Sequence, residues 1–98
     1  MKTTSGRVRC LDSAAQIVAG QRNTQYGEPE QNFKRIAAIC SVLFGIEVTN
    51  EEVAMALVAV KVARFASKSG FQPDTWIDIA GYAACGYEVG EAQQGVSS

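Results

Sequence analysis

At 98 residues, with 47% apolar content and a net charge of −1, the chain has the length of one domain and the balance of an ordinary globular protein. No basic surplus marks a nucleic-acid-binding surface, and the absence of histidine excludes Ser-His and Cys-His hydrolase chemistry. No secretion signal is expected, because the opening MKTTSGRVRC lacks an apolar stretch. No membrane span is expected either, because the longest apolar run, Val53 to Ala66, is interrupted by Lys61 and Arg64. The three cysteines, Cys10, Cys40 and Cys85, are far apart and without metal-ligand spacing, so reduced thiols in a cytoplasmic protein are expected.

Residues 1–10 carry no periodic pattern and are assigned to a flexible N-terminus. A short first helix follows from Leu11 to Arg22, with Asp12 or Ser13 as cap and an inward stripe of Ala14, Ile17, Val18 and Gln21. The polar segment RNTQYGEPEQN, with Gly27 and Pro29, reads as a loop into the next helix. Pro29 suits a first helical position, and Glu28 and Glu30 suit the positive end of a helix dipole.

From Glu30 to Phe44, the spacing of Phe33, Ile36, Cys40 and Leu43 predicts an amphipathic helix stopped by Gly45. Thr49-Asn50-Glu51-Glu52 then fits a capping box and opens a third helix to about Lys68. Met55, Val58, Val62 and Phe65 form its expected core stripe, with Leu57, Lys61, Arg64 and Lys68 beside it as a basic one. Ser69-Gly70 ends that helix. Pro73 is expected just outside the last helix and Asp74 as its N-cap, and that helix runs to about Glu88. The final VGEAQQGVSS, residues 89–98, reads as a flexible tail.

No stretch alternates as a strand would, so the expected fold is all-α: a four-helix bundle-like domain over residues 11–88. So short a chain builds only a small core, and the Ala-rich faces of the third and fourth helices point to a homo-oligomer.

One stripe of the last helix is unusual. Asp78, Gly81, Tyr82 and Cys85 fall at i, i+3, i+4 and i+7, so a carboxylate shares a face with small residues. Small residues admit a second helix closely, which would leave Asp78 partly buried and in need of a partner or a metal. Lys61 and Arg64 are the cations on a comparable helix. Carboxylates beside one or two bases are what a Mg²⁺-phosphate site requires, and Tyr26, Phe33, Trp76 and Tyr82 could offer a stacking surface for a base. Ordinary readings stand beside these. Asp78 could simply pair with Arg64 or Lys61, Asp74 could be only a cap, Glu30 only an i,i+4 partner of Lys34, and Trp76 and Phe33 only core.

The motif set RNxQYGEPExNF, KxARxA and DxWxDIAGYAACGxE, covering Ile17 to Glu88, resembles a family of small phage and bacterial proteins. That family is similar to the nucleotide-modification-associated domains of phages, which share a "YG" loop and a late Asp-containing helix. More remotely it resembles the all-α nucleoside triphosphate pyrophosphatases of the MazG and dimeric dUTPase group, which are helical, oligomeric and Mg²⁺-dependent. Carried over, the resemblance makes Glu30 and Asp78 the catalytic acids, with Asp74 joining them as metal ligands. Lys61 and Arg64 become the phosphate-facing cations, with Tyr26, Asn32 and Tyr82 as further nucleotide contacts. Two departures stand out. The pyrophosphatases carry ExxE and ExxD clusters, whereas Phe33 lies three residues after Glu30 and Thr75 three before Asp78. The resulting expectation is a phage-type nucleotide-binding protein, either a Mg²⁺-dependent pyrophosphohydrolase or a metal-free sequestering protein; a small helical interaction protein is the third reading.

Overall fold

The structure is a computed structural model that describes residues 5–20 and 29–97; the side chains of residues 29, 30 and 95–97 lie outside that description. Among the described residues there is no strand, and the chain forms α1 (Gly6–Ala19), α2 (Pro29–Phe44), α3 (Asn50–Ser67) and α4 (Pro73–Ser97). The protein is therefore all-α, as its sequence pattern requires.

Local chemistry fixes most boundaries. Thr49 caps α3 through its side chain, which accepts from the Glu52 N–H at 3.1 Å, while the Glu52 carboxylate accepts from the Thr49 N–H at 2.9 Å. Gly45 and Gly70, just past α2 and α3, sit at φ 69° and 83°, a left-handed geometry that glycine adopts without a Cβ penalty. Ser41 fastens the α2–α3 turn. Its hydroxyl donates to the Ala37 carbonyl at 2.8 Å and accepts from the Val48 N–H at 2.9 Å.

Besides the end of α1, which stops at Ala19 with Gly20 as its C-cap rather than reaching Arg22, three boundaries differ from the sequence-based expectation. First, α1 begins at Gly6 rather than Leu11, because Ser5 supplies the cap by accepting from the Val8 N–H. Second, Pro73 is the first residue of α4 and not a residue outside it. The Thr75 N–H donates to the Gln72 carbonyl, and Asp74 lies in the first turn. Third, α4 continues past Glu88 to Ser97. Val89 is only 2% exposed, so tertiary burial holds turns whose composition looked like a tail.

The core gathers Phe33 and Ala37 of α2, Val53 and Ala54 of α3, and Cys85 and Val89 of α4, with Val18 of α1 packed at its edge. α3 and α4 run antiparallel in a defined register: Lys61 faces Asp78, Ala54 faces Gly86, and Glu51 faces Gly90. A Cβ on Gly86 would lie 3.0 Å from the Ala54 Cβ, so the glycine sets how closely the two helices approach. Gly81 serves α1 instead, with Val18 3.4 Å from where its Cβ would stand.

The inward face of α3 is not the expected one. Met55, Val62 and Phe65 are exposed, Val58 is half-buried, and Val53, Ala54, Leu57 and Lys61 turn towards the interior. The helix is apolar almost all round, from Val53 to Val60 without a break, so periodicity alone could not orient it. In α2, Phe33 is buried and Ile36 and Cys40 are half-buried as expected, but Leu43 is 71% exposed.

Candidate functional site

The antiparallel register of α3 and α4 brings the sequence-derived residues Lys61 and Asp78 together. The Lys61 Nζ stands 2.8 Å from the Asp78 Oδ2, with 16% and 17% of the two side chains exposed. At that burial each charge needs the other, since leaving one alone costs its full desolvation. The small stripe of α4 produces this arrangement. Gly81 and Cys85 are buried, so neighbouring helices come close and Asp78 is drawn out of bulk water.

One turn towards the C-terminal end of α3, Phe65 meets Trp76 edge-to-face, with ring centroids 5.8 Å apart and planes at 69°. Both rings remain half open to solvent. Arg64 is exposed and is not the partner of Asp78; the shorter route from the inward face of α3 belongs to Lys61. Tyr82, one turn beyond Asp78, packs half-buried against the core, and Asn32 is half-buried on α2. Trp76 is a half-exposed wall rather than core, whereas Phe33 is core. Tyr26 lies outside the described residues, as does the side chain of Glu30.

Of the three expected magnesium ligands, Glu30, Asp74 and Asp78, the side chains of Asp74 and Asp78 are described. Asp78 is held by an ammonium group that offers three N–H donors to the oxygens a metal would need, and Asp74 is exposed in the first turn of α4. Among the described residues no three Asp, Glu, Cys or His side chains converge.

A cavity of about 550 Å³ opens on the other side of α4. Pro73, Trp76 and Ile77 of α4 and Phe71 before it form one wall; Gly6, Arg9, Cys10 and Ser13 of α1 form the other. An aromatic face, a guanidinium, a hydroxyl and a thiol thus share one apolar recess. Arg9, Cys10 and Ser13 are absent from the sequence-derived site, since Arg9 and Cys10 fall in the segment assigned to a flexible N-terminus and Ser13 reads only as a helix cap. The signal was there in Ser5, a good cap, followed by Cys10, Ala14 and Val18 at helical spacing.

No helix among the described residues is long and apolar enough to cross a membrane. The chain is 42% identical over 74 residues to the Gene 55 protein of Mycobacterium phage L5, an overlap covering 74% of this chain and 47% of that protein. It is 37% identical over 75 residues to the Gene 55 protein of Mycobacterium phage D29, covering 76% and 49% respectively. The chain thus spans about half the length of these relatives. No solved structure matches it significantly. Residues 9–90, which take in all of α2 and α3, match the model of a family described as a domain of unknown function, DUF6378, and the chain belongs to that family.

Proposed function

We propose that the protein is a binding module for a small aromatic, phosphate-bearing ligand of the nucleotide class, acting without a protein-held magnesium cluster. The cavity between α1 and α4 carries this reading. Trp76 offers a face for stacking a base, and Arg9 offers a fork of donors matched to phosphate oxygens. A recess of about 550 Å³ falls within the range of ligand pockets. The Lys61–Asp78 pair favours binding over hydrolysis, because it engages the late Asp that metal-assisted attack on phosphorus would use. With phage-encoded relatives, the setting proposed for this activity is the cytoplasm of an infected cell.

Trp76 is the only tryptophan in the chain, so intrinsic fluorescence reports on this cavity directly. Titration with nucleoside mono-, di- and triphosphates and cyclic nucleotides should quench or shift Trp76 emission, unchanged by EDTA and weakened by Arg9→Ala. Silence with every nucleotide overturns the reading. Magnesium-dependent release of pyrophosphate, lost on Asp78→Asn, would replace it with the hydrolase.

A further inference from the structure

Among the described residues the outward face of α3 has no partner, and its pattern is specific. Met55, Ala56, Ala59, Val62, Ala63 and Ala66 lie together on it, with no charged residue between Glu52 and the end of the stripe. All six are exposed; Met55 reaches 70% and Val62 51%. A helix apolar round its circumference belongs in an interior, yet only one side of α3 is covered by α2 and α4.

The area available agrees. The chain exposes 7344 Å², whereas a compact monomer of its 10.5 kDa would expose roughly 5,400 Å². That surplus belongs to the chain as a whole, and it leaves room for the roughly 800 Å² that each partner buries in a stable interface. The radius of gyration, 15.1 Å, also exceeds the roughly 12.6 Å of a compact chain of this length. Among the described residues no side chain is completely buried.

We infer that this face binds a second copy of the same chain, α3 against α3 antiparallel, with Ala59 on the two-fold axis. Self-complementarity of the stripe selects this occupant. A two-fold axis at Ala59 sets Met55 of one copy opposite Ala63 of the other, and Ala56 opposite Val62. The two layers on either side of the axis then place a large residue against a small one, and Ala59 meets its own copy where the backbones come closest. Glu52 falls at the rim, where its carboxylate stays wet and keeps its capping role. The inference does not depend on the nucleotide reading.

Light scattering on the full chain at tens of micromolar should give twice the 10.5 kDa chain mass. Ala59→Glu sets two carboxylates face to face on the axis and Ala59→Lys two ammonium groups, so each variant alone should be monomeric with its helical circular dichroism retained. Mixing them opposes unlike charges and should restore the doubled mass. If a charged variant loses its helical signal, Ala59→Leu, which only overpacks the axis, should still weaken dimerisation measurably. A monomeric wild type, or a dimer indifferent to all three substitutions, overturns the proposal.

Discussion

Lys61 and Asp78 close on each other at 2.8 Å across the α3–α4 interface, about two helical turns along from the close approach of Ala54 to Gly86. Its consequence is a coupled energetics. Lys61→Ala or Asp78→Ala alone should destabilise by roughly 2–4 kcal/mol, somewhat under the range for a fully buried pair because both ends keep some contact with water. Removing both should cost less than the two singles combined, by about 1 kcal/mol or more. Arg64→Ala should stay within about 0.5 kcal/mol of the parent and show no coupling to Asp78. Urea unfolding of the four variants measures all of this, and additive single effects would mean that the pair contributes no interaction of its own.

Gly86 and Gly90 lie four residues apart on α4 yet should respond to alanine in opposite ways. Both gain up to about 1 kcal/mol in helix propensity. At Gly86 the new methyl meets the Ala54 Cβ at 3.0 Å, and neither side can swing aside, so the helices must part. At Gly90 the neighbour is the Glu51 carboxylate at 3.2 Å, the far end of a flexible side chain that moves cheaply. Gly90→Ala should therefore raise the melting temperature and Gly86→Ala lower it. Gly86→Ala combined with Ala54→Gly should recover part of the loss.

The capping box at Thr49 predicts a local defect. Thr49→Ala leaves the Glu52 N–H without its side-chain acceptor and should cost about 1 kcal/mol. Amide exchange should rise first in the opening turn of α3, before Val53. Uniform exchange along α3 would show that packing, not the cap, holds this end.

Phe65 and Trp76 allow a spectroscopic test of the α3–α4 register without any ligand. Phe65→Leu removes the edge-to-face partner and opens more of the indole to water, so emission from Trp76 should shift to longer wavelength. The stability change should stay near the roughly 0.5–1.5 kcal/mol typical of such pairs. An unchanged spectrum would place the two rings apart in solution.

Much of this architecture is written into short-range chemistry. Thr49 with Glu52, Gly45 and Gly70 each fix a helix end through hydrogen bonds or dihedral angles that involve only near neighbours, so they could be read directly. The partial burial of Asp78 and its need for a partner or a metal were also legible, because a small-residue stripe draws a neighbouring helix close. Which cation it would take was not. Lys61 and Arg64 share a helix, and only the face that α3 presents to α4 separates them. That face was undecidable from periodicity, since Val53 to Val60 is apolar in every direction; the close approach of Ala54 to Gly86 settled it and turned Met55 and Val62 outward. The ends of the chain follow the same logic. Ser5 could announce α1 locally, but Gly90 and its polar neighbours argue against helix, and α4 holds there because Val89 is buried against the core. The sequence alone determined where α2 and α3 begin and end. The tertiary structure decided which side of each is covered, because burial depends on partners far away along the chain.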